Sequence, residues 1–79
     1  MLTKATNKNS SNRDSLFELA IVKRVLGKTD ESITLYHLVL SIDPTYAPAH
    51  NHLGMIYKNT GMLNTSEKYF RKALTLKGE

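Results

Sequence analysis

The sequence contains no cysteine. This absence excludes a disulfide framework, thiolate metal sites and catalysis by a thiol, and it is typical of a protein from a reducing compartment. Proline and glycine are scarce, with two and four residues respectively, so each is a candidate boundary between regular elements. The seven Asp and Glu are outnumbered by eleven Lys and Arg, and the net charge of +4 favours acidic partners without specifying nucleic acid.

Long apolar runs are also missing. No segment approaches the stretch of about 18 apolar residues that would span a bilayer. The N-terminal segment from Met1 to Arg13 lacks the apolar middle of a secretory signal. We therefore expect no membrane contact and a cytoplasmic or nuclear location, with the cytoplasm as the default.

Patterns that carry catalysis or metal binding are absent. The sequence has no nucleophile-elbow, phosphate-loop or dinucleotide-binding glycine pattern. His50 and His52 are two residues apart, which directs them to different sides of a helix, and His37 lies in another predicted helix. Without cysteine to complete a ligand set, no metal site is expected. We predict that the protein is not an enzyme and has no catalytic residue, metal or cofactor.

Apolar residues recur at steps of three and four through most of the chain, which is the period of amphipathic helices. Residues 1–12 are an exception, because they are mostly polar and show no period, and they are predicted to form a flexible tail. At the end of this tail, Ser11 or Asn12 is a candidate cap for the first helix. Gly27 is expected to end that helix, since glycine readily adopts the left-handed conformation after a last turn.

The second and third predicted helices are separated by two prolines. Thr29 or Asp30 begins the second helix. Pro44 disfavours helical geometry in the residue before it, so Asp43 is the expected boundary. Pro48 suits the first turn of the third helix, where a missing N–H group costs little.

The fourth predicted helix follows Thr60 and Gly61, which end the third. Asn64 and Glu67 resemble a capping box at its start. Turns this short require neighbouring helices to run antiparallel. No segment alternates with period two between hairpin signals, so no sheet is expected. The sequence therefore predicts an all-α fold of four helices.

The chain also repeats itself. The first half of the sequence aligns with the second half without a gap. In this alignment, identical residues occur in both helices of each pair and at the turn between them. The identical pairs are Leu19 and Leu53, Gly27 and Gly61, Ser32 and Ser66, and Leu40 and Leu74. Similar residues occupy many positions between them, as with Tyr36 and Phe70. A helix-turn-helix unit is therefore present twice.

The spacing of these pairs matches the helix-turn-helix period of the tetratricopeptide repeat, and the chain resembles that family. The second copy matches the family motif at His50 (in the usual Trp position), Leu53, Gly54, Tyr57, Ser66, Phe70 and Ala73. The first copy matches at Leu16, Leu19, Ala20, Ser32, Tyr36 and Pro44, with Lys23 in place of the family's Tyr. The resemblance covers residues 13–79, divided into repeat one, 13–46, and repeat two, 47–79. It implies a short α-solenoid of antiparallel helix pairs.

Small residues recur at two positions of the repeat. Ala20 and Gly54 share one position, and Ser32 and Ser66 share the other. Small side chains at a helix crossing let the ridges of one helix enter the grooves of the other. These residues are therefore predicted to lie where the two helices of each pair approach closely.

The resemblance implies a function in protein binding. In the family, the first helix of each pair lines a concave groove that holds a peptide or helix of a partner. The groove residues implied here are Phe17, Ile21 and Arg24 in repeat one and Asn51, Met55, Lys58 and Asn59 in repeat two. An extended or helical segment with apolar anchors and an acidic group would complement them. The primary prediction is thus an adaptor or scaffold that binds a protein or peptide.

Two repeats are fewer than such arrays usually need, and this leads to an alternative. The last helix is expected to leave an apolar face partly open, formed by Tyr69, Phe70, Ala73 and Leu76. The chain is then a self-associating module, with a two-fold homodimer as the expected form, or a fragment of a longer repeat protein. A third and less favoured alternative is nucleic-acid binding through Lys68, Arg71 and Lys72 on the last helix.

Overall fold

The computed structural model describes residues 2–78, and it describes the side chains of residues 11–76. The helices within this range are α1 (Leu2–Val25), α2 (Thr29–Ile42), α3 (Ala47–Asn59) and α4 (Leu63–Gly78). No strand is present within the described residues. The predicted all-α class and the predicted series of helices are confirmed.

The start of α1 differs from the prediction. The helix begins at Leu2, so the segment predicted as a polar tail, residues 1–12, is helical from residue 2 onward, and Met1 lies outside the described residues. Ser11 and Asn12 are therefore interior helix positions rather than caps. The segment contains neither proline nor glycine, so nothing in it prevents the helix from extending past the predicted cap.

The turn within each helix pair has the same geometry, and both contain a glycine with positive φ, 84° at Gly27 and 87° at Gly61. In the first turn the Gly27 N–H group donates to the Arg24 carbonyl oxygen at 3.0 Å, and the Lys28 N–H group to that of Lys23 at 2.8 Å. The second turn repeats both bonds at the equivalent positions of the repeat, at 3.1 and 2.8 Å. This pattern is the Schellman motif, which satisfies carbonyl groups at a helix end.

The other boundaries follow the predicted signals with one exception. α2 ends at Ile42, directly before Asp43 and Pro44, and Pro48 lies in the first turn of α3. α4 begins at Leu63, before the predicted cap residue Asn64, so Asn64 is already inside the helix. The predicted capping box therefore does not open α4.

The chain divides into two compact units, Met1–Pro44 (unit 1) and Thr45–Glu79 (unit 2). In unit 1, α1 and α2 pack against each other. The buried residues between them are Ala20, Ser32, Tyr36 and Val39. Two ion pairs link α1 to the two ends of α2: Arg13 Nη1 lies 2.8 Å from Oδ2 of Asp43, the residue after α2, and Lys23 Nζ lies 2.9 Å from Oε1 of Glu31 in its first turn. These pairings require α1 and α2 to run antiparallel.

Unit 2 is built from α3 and α4. Its buried residues are Ala49, His50, Leu53, Gly54, Ile56, Ser66 and Ala73. The helices run in opposite directions because a short turn joins them. An exposed ion pair within α4, Arg71 Nη2 to Glu67 Oε2 at 2.8 Å, adds little stability.

The close crossings predicted from the small residues are present in both units. The Ser32 hydroxyl donates to the Ala20 carbonyl oxygen at 2.8 Å, and the Ser66 hydroxyl donates to the Gly54 carbonyl oxygen at the same distance. Each bond joins the two helices of one unit and is buried. The repeat seen in the sequence is therefore also a repeat of hydrogen bonds.

Candidate protein-interaction surfaces

The predicted groove residues of unit 1 lie on one side of α1, because Phe17, Ile21 and Arg24 are separated by steps of four and three. All three are partly buried. The Phe17 ring meets the Tyr36 ring edge to face, with centroids 5.7 Å apart. Phe17 therefore contributes to packing within the unit as well as to its surface.

Arg24 lies beside the buried Tyr36. Burial raises the pKa of the Tyr36 phenol, and the hydrogen bond from Arg24 opposes that rise. The Arg24 Nε atom is buried and has no hydrogen-bond acceptor among the described residues. Arg24 also forms no salt bridge within the described part of the chain. It is a cation with unused donor capacity at the predicted groove.

The predicted groove residues of unit 2 lie on α3. Asn51, Lys58 and Asn59 are exposed, and Met55 is partly buried. Asn51, Met55 and Lys58 repeat the steps of four and three seen on α1, so they share one side of the helix. Lys58 has no acidic partner among the described side chains. Each unit thus presents an apolar residue and a cation at the same repeat positions.

The structure describes the surroundings of the residues predicted as a self-association face one by one. Tyr69 packs onto α3, where its ring stacks on Tyr57 with centroids 5.5 Å apart and lies 6.0 Å from the His50 ring. Burial raises the pKa of the Tyr69 phenol, and the neighbouring Tyr57 raises it further. This aromatic cluster was not predicted from the sequence. Leu76 is partly buried.

Phe70 and Ala73, which also belong to the predicted self-association face, line a cleft between α3 and α4. The cleft has a volume of about 570 Å³ and is mainly apolar. Its lining residues are Ala47, Pro48, Asn51, His52, Phe70, Ala73 and Leu74. It therefore brings together one predicted groove residue and two residues of the predicted self-association face.

One position of the repeat that lines the cleft holds different kinds of residue in the two units. In unit 1 that position is Phe17, whose ring packs against Tyr36. In unit 2 it is Asn51, which lines the cleft together with Phe70. Alignment of the two halves of the sequence shows this difference between Phe17 and Asn51. It does not show that Phe17 packs against Tyr36, and the cleft could not be predicted without that contact.

An apolar stripe on α1 and the turn after it was also not predicted as a surface. Leu19, Val22 and Leu26 follow one another at steps of three and four and are all exposed. Leu26 follows the last residue of α1, and its N–H group donates to the Val22 carbonyl oxygen at 3.0 Å, which continues the helical turn. We call these three residues the α1 stripe.

Other kinds of site receive less support. Lys68, Arg71 and Lys72 are exposed on α4, and Arg71 is paired with Glu67. Among the described residues, no group of three or more His, Asp or Glu is placed to hold a metal ion. Within the same residues, no helix combines the length and apolar character that crossing a membrane requires.

Comparisons with known proteins agree with the repeat. The tetratricopeptide repeat family profile matches residues 47–79. The crystal structure of MamA is similar with a TM-score of 0.81 and 30% sequence identity, over 96% of this chain and 44% of the MamA chain. The present chain thus spans less than half the length of that relative. No curated protein sequence matches it.

Proposed function

We propose, from the premise that this chain belongs to the tetratricopeptide repeat family, that each of its two units binds a segment of a partner protein, unit 1 through one side of α1 and unit 2 through one side of α3. The family and the fold are those of protein-interaction modules in general. The finer proposal is that Phe17, Ile21 and Arg24 on unit 1 receive the partner, with Asn51, Met55, Lys58 and Asn59 serving this purpose on unit 2.

The observation that carries the proposal is the repetition of chemistry at equivalent positions. Ile21 and Met55 occupy the same position of the repeat and both are partly buried, and the cations Arg24 and Lys58 share another position. Methionine adapts to varied apolar partners. Neither cation forms a salt bridge within the described residues, so each has donors for an acceptor from outside.

The partner segment that fits is an extended or helical peptide with apolar side chains and at least one carboxylate. Apolar anchors would cover Ile21 or Met55, and a carboxylate would accept hydrogen bonds from Arg24 or Lys58. The exposed amides of Asn51 and Asn59 supply donors and acceptors for the peptide backbone. The net charge of +4 favours encounter with an acidic segment.

A peptide array tests this proposal. Each peptide carries apolar anchors and an Asp or Glu, and its matched control carries Asn or Gln instead. We expect binding to the acidic peptides and about tenfold weaker binding, equivalent to about 1.4 kcal/mol, after Arg24→Glu or Lys58→Glu. Lys68→Glu makes the same charge change on α4 and should leave affinity within about twofold. Equal binding of acidic and amide peptides, or equal loss with Lys68→Glu, would refute the proposal.

A further inference from the structure

The Tyr36 hydroxyl group connects the helix crossing of unit 1 to the cation on its proposed binding side. Tyr36 is completely buried, and a buried hydroxyl group is costly unless it has hydrogen-bond partners. Its oxygen accepts a hydrogen bond from Arg24 and is also hydrogen-bonded to the hydroxyl group of Ser32, one turn earlier on α2. Ser32 in turn donates to the Ala20 carbonyl oxygen at 2.8 Å. A continuous set of hydrogen bonds therefore runs from the α1–α2 crossing to Arg24.

Part of the Arg24 guanidinium group is buried. Its Nε atom is inaccessible to solvent, and the ring of Tyr36 is itself packed edge to face against Phe17, with centroids 5.7 Å apart. A guanidinium group is a planar fork that binds a carboxylate best in one orientation. A side chain that already holds this orientation loses less conformational entropy when the partner binds.

Unit 2 lacks this arrangement at the same positions of the repeat. The counterpart of Tyr36 is Phe70, which has no hydroxyl group, and the counterpart of Arg24 is Lys58. Lys58 is exposed, and a lysine ammonium group is a flexible point charge without the fixed geometry of a guanidinium fork. The phenol hydroxyl group and the guanidinium group therefore occur together in unit 1 and are both replaced in unit 2.

We propose that Tyr36 is a positioning residue, whose hydroxyl group holds Arg24 ready to receive a carboxylate of the partner. This inference rests on the proposed function and deepens it, because it makes unit 1 the more selective unit for an acidic residue over its amide. A guanidinium group has five N–H donors, so Arg24 retains donors for the partner after it has donated to the phenol oxygen.

Tyr36→Phe tests the proposal in the intact chain, and Phe70 shows that the repeat accommodates phenylalanine at this position. A Lys58→Glu background removes the cation of unit 2. Fluorescence anisotropy then measures the affinity for acidic peptides and for their Asn or Gln controls. We expect Tyr36→Phe to lower the ratio of acidic to amide affinity by about threefold to tenfold. Affinity for the amide peptides should change by less than about twofold, whereas a purely structural role would weaken both.

A double-mutant cycle with Arg24→Met shows whether Tyr36 acts through Arg24. Methionine removes the donors, so Tyr36→Phe should have no further effect on the affinity ratio in this background. Tyr46→Phe, which removes a phenol hydroxyl group ahead of α3, is the matched control and should leave the ratio unchanged. Circular dichroism checks that each variant is folded.

A measurement on the unsubstituted chain tests the same contact if Tyr36→Phe does not fold. The ¹⁵N heteronuclear NOE of Arg24 Nε should approach that of the backbone, whereas Nε of the exposed Arg71 should be mobile. An unchanged affinity ratio in Tyr36→Phe, a further loss in the Arg24→Met background, or equal mobility of the two arginines overturns the inference and leaves the proposed function standing. Equal binding of acidic and amide peptides by the unsubstituted chain refutes the proposed function, and this inference with it.

Discussion

At each helix crossing, a serine on one helix donates a hydrogen bond to the carbonyl oxygen of a small residue on the other. In unit 1 the pair is Ala20 and Ser32, and in unit 2 it is Gly54 and Ser66. The crossing in unit 2 is the tighter one for a side chain, because a Cβ atom added at Gly54 would lie 2.8 Å from Cδ1 and Cε1 of Phe70. Glycine is therefore required at this position for the observed position of the ring, although it weakens the helix.

We predict that Gly54→Ala destabilises unit 2. Alanine gains about 1 kcal/mol of helix propensity, but displacing the Phe70 ring costs about 1 to 3 kcal/mol, so a net loss of up to about 2 kcal/mol is expected. Urea unfolding followed by circular dichroism measures it. In a Phe70→Leu background the ring is gone, and the same substitution should stabilise the chain. A stabilising Gly54→Ala in the wild-type background would contradict the contact.

The sequence predicted these crossings but not every residue contact. Ser32 and Ser66 could be placed at a crossing because small residues recur there with the period of the repeat. The aromatic cluster of His50, Tyr57 and Tyr69 could not be, because stacking depends on how α4 is rotated against α3. Apolar periodicity constrains that rotation only coarsely. The cleft beside Asn51 was not predicted either, because the change from Phe17 to Asn51 is visible in the sequence but the contact of Phe17 with Tyr36 is not.

At the scale of elements, the turns were the most predictable part and the start of α1 the least. Glycine at the end of an apolar pattern is a local signal with a local cause, and both turns formed where it occurs. The start of α1 has no such signal, because Ser11 and Asn12 are tolerated inside a helix when no proline or glycine ends it. Polar composition alone therefore gave the wrong boundary.

Substitution of the glycine in the turn between α3 and α4 should lower the stability of this helix pair. Gly61→Ala places a Cβ atom at a φ of 87° and should destabilise the α3–α4 pair by about 1 to 2 kcal/mol. Gly61→Asn should cost less, because asparagine visits the left-handed region more readily. Apart from Gly61 and its two neighbours in the sequence, no described residue has a heavy atom within 4 Å of an added Cβ atom, so any loss reports backbone conformation rather than a clash with another part of the chain. Thermal unfolding of the two variants provides the comparison, and equal melting temperatures for alanine and wild type would contradict it.

At the scale of the molecule, the two units have the same sequence pattern, but residues at equivalent positions differ in how deeply they are buried. Leu19 and Leu53 are identical residues at the same repeat position, yet the first is 43% exposed and the second is fully buried. In a repeat protein, stability is approximately a sum over units and their interfaces. A chain of this size has little stability to lose, so equivalent substitutions in the two units should have very different consequences.

We therefore predict that Leu53→Ala reduces the stability of the chain much more than Leu19→Ala does, although the two leucines occupy the same position of the repeat. Leu53→Ala removes a fully buried side chain and should cost about 2 to 5 kcal/mol. Leu19→Ala makes the same chemical change at a partly exposed site and should cost about 1 kcal/mol or less.

Because small domains are stable by about 5 kcal/mol, the Leu53→Ala variant should be largely unfolded under conditions where the Leu19→Ala variant is folded. The measurement is urea unfolding of both variants at the same protein concentration, followed by circular dichroism. Equal losses at that concentration would show that the two leucines are equally buried, against the structure.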